Sequence, residues 1–221
     1  MVDLNSIKLI ILDMDNTIYN YDKCNDVAVE KVLKYCESIS DKDYNQLYSK
    51  YYDIKRLVNS LFSGTAISHD KLLQFKIFVE NNEWNNKSKI ELTMQLYDIY
   101  MNEFFENIEP YSMLYIFLKK CIEKNIKVVI LTNNLLEIQL RIFNLLQLEK
   151  YIENIYTSYE IGYEKPNNNC FNYIIDKYKF EKSEICMIGD SRKHDYEGAI
   201  NFGIHAILFD KLSYDNLIKK L

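Results

Sequence analysis

At 221 residues the chain is long enough for one large domain, or a domain with an insertion, around a sizeable core. Its 27 basic against 32 acidic side chains, a formal net charge of −5, argue against binding a nucleic acid polymer, which calls for a basic face. No apolar run reaches membrane-spanning length, and Met1–Ile7 is mixed polar without an export signal, so the expected compartment is cytoplasmic.

The first predicted element is the apolar run Leu9–Leu12 inside Lys8–Thr17, KLIILDMDNT. Its length and Ile/Leu content predict a strand buried on both faces of a parallel sheet. Asp13 and Asp15 stand where that strand ends, which is where open α/β sheets bind ligands. Alternation along the strand would turn both carboxylates to one side. Two acids that close call for a cation, and hard oxygen donors favour Mg2+ over zinc. A carboxylate held against such an ion can attack phosphorus, while its neighbour moves a proton. Taken alone, the D-x-D pair reads equally well as turn chemistry.

From about Asn25 to Phe105 the pattern is helical. Val27, Val32, Leu33 and Cys36 mark a first helix, and Asp41–Phe62 a second that Gly64 would stop. Ser68–Glu80, capped by Ser68, is a third, and Ser88 to Phe105 a fourth, beyond the polar break Asn81–Lys89. Pro110 is placed to open a helix over Tyr111–Lys124. Strands at Ile126–Leu131, Ile155–Thr157, Ile185–Ile188 and His205–Phe209 then alternate with helices at Leu135–Leu146, Asn168–Tyr178, Asp195–Phe202 and Ser213–Leu221. This predicts an α/β fold, a doubly wound parallel sheet with right-handed crossovers and an inserted all-helical lid. The core would span residues 1–18 and 106–221, and the cap 19–105.

The cysteines Cys24, Cys36, Cys121, Cys170 and Cys186 show no C-x-x-C spacing and fit reduced thiols. The 19 tyrosines follow the Asn/Lys/Ile/Tyr bias of the chain, and His69, His194 and His205 show no partner pattern. Four strand ends carry polar groups: Asp13 with Asp15, Thr132 with Asn133, the segment leading to Lys165, and Asp190. Gly162, Gly189, Gly198, Gly203 and Pro166 lie beside the later clusters, where glycine permits close backbone approach.

In order and spacing, DMDNT, ILTNN, EKP and GDSRKHD resemble the haloacid dehalogenase superfamily of aspartate-nucleophile phosphatases. The likeness covers residues 1–17 and 110–210. The helical insertion is similar to the cap of the first-cap-type subgroup, which includes nucleotidases and phosphoglycolate and acylneuraminate-phosphate phosphatases. The resemblance implies Asp13 as nucleophile and Asp15 as general acid and base. It implies Mg2+ held by Asp13, Asp190 and the Asp15 carbonyl, and phosphate bound by Thr132 and the Asn133 amide. Lys165 would neutralise the charge cluster; Asp195 would orient Lys165 or a metal-bound water, and Thr17 would support the loop. Singly, Thr132 reads as a helix cap, Lys165 as a solvated charge, and Asp190 and Asp195 as a cap and a first-turn acid.

Asp15 separates a phosphatase from the hydrolytic dehalogenases of the superfamily, which lack that second aspartate. The implied activity is hydrolysis of a small-molecule phosphate ester, a nucleoside 5′-monophosphate or a sugar or sugar-acid phosphate, by a monomer or homodimer. A phosphosugar mutase of the same fold and a non-catalytic binding protein are the alternatives. Tyr19, Tyr21, Arg56 and Lys71 are the cap candidates for substrate contact.

Overall fold

The computed structural model describes residues 4–85, 88–210 and 213–221. Parts of the Met1–Ile7 segment and of the polar break Asn81–Lys89 lie outside the described residues. Strand β1 (Leu9–Leu12) leads into four helices, α1 (Tyr21–Ser38), α2 (Tyr44–Leu61), α3 (Lys71–Glu80) and α4 (Lys89–Glu106). Alternation follows: α5 (Leu114–Glu123), β2 (Lys127–Thr132), α6 (Leu136–Leu145), β3 (Asn154–Thr157), the short α7 (Ser158–Ile161) and α8 (Asn168–Tyr178). The chain closes with β4 (Ile185–Gly189), α9 (Gly198–Phe202), β5 (His205–Leu208) and α10 (Ser213–Ile218). It divides into two compact units, Met1–Asn20 with Glu109–Leu221, and Tyr21–Ile108.

In the first unit five parallel strands pair in the order β3-β2-β1-β4-β5. Leu9 stands opposite Lys127 on one side and Ile185 on the other, so the ends of β1, β2 and β4 come level along one edge. All four β1 residues are fully buried, as a central strand covered on both faces requires. Leu9, Ile11, Val129, Leu131, Ile185 and Met187 share one core cluster with Phe171 and Ile174 of α8 and Phe202 of α9. The five cysteines are buried and none forms a disulfide.

In the second unit α1 packs on α2 and α4, and α3 on α2 and α4, closing a four-helix ring. Its centre is aromatic: Tyr51, Phe75, Phe78, Tyr100 and Phe104 lie in ring contact. No helix among the described residues is long and apolar enough to cross a membrane.

Several boundaries differ from the sequence reading, among them the second helix, which starts at Tyr44 because Asp43 caps it. The first helix begins at Tyr21, a turn before Asn25. Ser68 does not cap the third helix: Ala66–His69 is a separate 3-10 turn, and α3 starts at Lys71 because Asp70 accepts from Leu73 N at 3.0 Å. Pro110 does not open the fifth helix. It bridges Tyr19, Tyr111 N donates to Ile18 O at 2.8 Å, and Met113, left-handed at φ 68°, delays α5 to Leu114.

Candidate active site

Asp13 follows β1 directly, and its backbone N–H donates to Ile188 O of β4 at 2.8 Å, which fixes it against the neighbouring strand. Lys165, carried by the segment after β3, is 3% exposed and inserts its ammonium among three oxygens. Its Nζ lies 2.6 Å from Asp13 Oδ1 and 2.7 Å from Asp195 Oδ1, and donates to Leu131 O at 2.7 Å. Pairing with two carboxylates offsets the cost of burying this lysine as a cation.

Asp195 does not lie at the head of the single helix expected over Asp195–Phe202. That stretch is a π-helical turn, Arg192–Glu197, followed by α9, and the widened turn keeps Asp195 1% exposed beneath the strand ends. Ser191 N donates to Asp195 Oδ2 at 3.0 Å. Two glycines make room for this packing: a Cβ on Gly189 would meet Asp195, and one on Gly198 would lie 2.6 Å from Pro166 Cβ.

Burial pushes the Asp13 carboxyl well above the usual range; Lys165 pulls it down, and Asp195, Asp15 and Asp190 add to the rise. Asp190 is pushed up to about 6, by partial burial of its carboxyl first and then by the charge of Asp195. Burial works against the Lys165 ammonium, yet Asp13 and Asp195 outweigh it and hold that pKa above the ordinary lysine value. One carboxylate oxygen each of Asp13, Asp190 and Asp195 lies within 4.8 Å of the others. Three hard oxygens in mutual reach fit a divalent cation such as Mg2+.

The Asp15 side chain is outside that group. Strand pairing stops at Leu12 and Asn16 is left-handed at φ 60°, so the alternation expected to turn Asp13 and Asp15 the same way does not run on through the motif. Asp15 instead accepts from Tyr19 OH at 2.6 Å, Asn134 Nδ2 at 3.0 Å and Gln139 Nε2 at 3.3 Å. Thr17 ties two loops together, donating to Asp13 Oδ2 at 3.3 Å and accepting from Asp190 N at 3.2 Å. Thr132 is buried at the end of β2, its hydroxyl accepting from Asn134 N at 3.3 Å.

Sequence reasoning gave Asn133 only its backbone amide. Its side chain brackets the Lys165 backbone, Nδ2 donating to Lys165 O at 3.0 Å and Oδ1 accepting from Lys165 N at 2.8 Å. Gln139 and Asn134 were also missed. The available signal for Gln139 was an amide on the apolar face of α6, between Ile138 and Ile142. Of the cap candidates, Tyr19 belongs to the sheet unit and reaches Asp15. Within the helical unit Tyr21 lies edge-on to Phe104, and Arg56 is exposed and paired with Asp53. Lys71 is buried, donating to Asn25 Oδ1 at 2.9 Å.

A model of the haloacid dehalogenase-like hydrolase family matches residues 7–203. The chain is 29% identical over 202 residues to a ribulose-1,5-bisphosphate 5-phosphatase of Halopiger xanaduensis, covering 91% of this chain and 84% of the relative. It is 24% identical over 211 residues to the pyrimidine 5′-nucleotidase PynA of Streptococcus pneumoniae, covering 95% and 86%. Among solved structures, YfnB of Bacillus subtilis bound to magnesium matches with a TM-score of 0.66 at 17% identity, over 92% of this chain and 86% of that one.

Proposed function

We propose that this chain, which belongs to the haloacid dehalogenase-like hydrolases, is a magnesium-dependent phosphatase that cleaves the primary 5-phosphate of a five-carbon sugar, free or within a nucleotide. By their names, both relatives above remove phosphate from position 5 of such a sugar. The observation that carries the reading is the Lys165 ammonium buried between Asp13 and Asp195, beside Asp190.

An Asp13 oxygen attacks phosphorus as the bond from phosphorus to the sugar oxygen breaks, and Asp15 gives that oxygen its proton. Water then attacks the phosphorus of the aspartyl-phosphate. Asp15 recovers a proton from that water, and inorganic phosphate leaves with Asp13 restored. Lys165 offsets the charge on Asp13 and the phosphoryl oxygens, while Asp195 and the Asn133 side chain keep Lys165 in place. Thr132 and the Asn133 amide bind phosphoryl oxygens, and Thr17 holds the Asp13 and Asp190 loops together. Bound Mg2+, held by Asp13, Asp190 and the Asp15 carbonyl, supplies positive charge against the phosphoryl group.

The test is phosphate release with Mg2+ from ribulose-1,5-bisphosphate, ribose 5-phosphate, pyrimidine and purine 5′-monophosphates, hexose 6-phosphates and p-nitrophenyl phosphate. Release from pentose 5-phosphates, lost with a chelator and in Asp13→Asn, is expected. Absence of release from every ester, or release indifferent to Asp13→Asn, overturns the reading.

A further inference from the structure

We propose that Gln139 is a positioning residue for Asp15, acting with Tyr19 and Asn134 to fix the carboxylate that protonates the leaving oxygen. The inference rests on the phosphatase reading of the site. Asp15 lies three residues beyond the end of β1, next to the left-handed Asn16, and is bridged to Tyr19 rather than to a strand of the sheet, so the five-stranded ladder does not orient its carboxylate. A general acid must nevertheless be held within hydrogen-bond reach of one atom of the substrate. Side-chain donors supply what the ladder does not. Tyr19 OH meets Oδ1 at 2.6 Å, Asn134 Nδ2 meets Oδ2 at 3.0 Å, and Gln139 Nε2 spans both oxygens at 3.3 Å each.

Gln139 is the informative member of the three. It is 0% exposed on α6, in line with the buried Ile138 and Ile142. Its Oε1 meets no hydrogen-bond partner among the described residues. Half of this amide is therefore buried unsatisfied, an arrangement that packing alone disfavours. A leucine would fill a similar volume without the orphaned oxygen. What the amide provides and leucine lacks is the donor shared between the two oxygens of Asp15, which resists rotation of that carboxylate.

A positioning role makes a demand that a packing role does not. The alkoxide of a sugar 5-phosphate leaves poorly without a proton, whereas p-nitrophenolate leaves without one. The full-length Gln139→Leu protein is assayed with Mg2+ on ribose 5-phosphate and on p-nitrophenyl phosphate, beside its melting temperature. The expected result is a fall of ~10-fold or more in kcat on the sugar phosphate, a much smaller fall on the aryl ester, little change in either KM, and a melting temperature at or above the parent's. Equal losses on the two esters, or no loss on the sugar phosphate, overturn the inference and leave the phosphatase reading standing. A parent protein that releases phosphate from none of the esters named for the phosphatase test overturns both. Should Gln139→Leu misfold, Gln139→Met carries the same comparison.

Discussion

A Cβ placed on Gly189 would collide with Oδ2 of Asp195. The last residue of β4 is thus a glycine because the carboxylate that pairs with Lys165 occupies the space of its side chain. Gly189→Ala must push Asp195 away, and Lys165, which Asp195 contacts at 2.7 Å, moves with it. Turnover is expected to fall about 100-fold, with a stability loss of about 1–3 kcal/mol from overpacking. Steady-state kinetics together with urea denaturation checks this. An alanine protein of normal activity would mean that the Asp195–Lys165 contact is dispensable.

Removing the cation itself should act on stability as well as on catalysis. Lys165→Met leaves Asp13 and Asp195 buried together without their ammonium, and breaking a buried pair this way costs about 3–5 kcal/mol. The Asp13 carboxyl is already raised by burial, and without Lys165 it rises further. A carboxyl whose folded pKa exceeds its unfolded one favours the folded state at low pH and loses that contribution as pH climbs through the folded value. The deficit of Lys165→Met against the parent should therefore be larger at pH 8 than at pH 5, measured by denaturant midpoints with chelator present. A deficit independent of pH would show that the Lys165 ammonium does not lower the Asp13 pKa in the folded chain.

The sheet was legible because its strands are short unbroken apolar runs, and β1 occupies Leu9–Leu12, the very residues of that run. Asp13 and Asp190 stand where two of those runs stop, whereas Lys165 lies past β3 and α7 and enters the expected site through the family resemblance. What could not be read is whatever depends on residues far apart in sequence. Asn133 clasps the Lys165 backbone across 32 positions, and Gln139 reaches Asp15 across 124. Asn133 leaves no trace in local periodicity, and Gln139 only its place on the apolar face of α6. The misplaced starts of α3 and α5 are competitions between neighbours: Asp70 over Ser68 as cap, and the pairing of Pro110 with Tyr19 over a proline-first helix.

The Asn133 clasp gives a cheap check on that long-range geometry. Asn133→Ala removes two hydrogen bonds to the Lys165 backbone and keeps the peptide amide assigned to phosphate. Stability should drop by about 1–3 kcal/mol, and kcat should fall while KM for the sugar phosphate changes little, since binding through the amide persists. A rise in KM alone would instead place the Asn133 side chain on the substrate.

Lys71 tests the helical unit independently of any activity. Its ammonium is buried among neutral partners, Asn25 Oδ1 at 2.9 Å and Tyr51 OH and Gln74 Oε1 at 3.4 Å each. Burial, with a smaller push from Lys55 and an opposing pull from Asp26, brings its pKa down from 10.5 to about 7. Below pH 7 both folded and unfolded chains carry the proton, and the full cost of burying the charge is present. Between about 7 and 10.5 the unfolded chain keeps the proton and the folded one releases it, so stability rises with pH across that window. Lys71→Met removes the cost and the slope together. The variant should exceed the parent by a few kcal/mol at pH 6, at roughly 1.4 kcal/mol per pKa unit, and the gap should narrow steadily toward pH 10. Denaturant midpoints of the two proteins at pH 6, 8 and 10 give the difference directly, because every other titrating group is shared. A gap of constant size would mean that Lys71 keeps its proton in the folded chain, stabilised by partners stronger than the amide and hydroxyl oxygens around it.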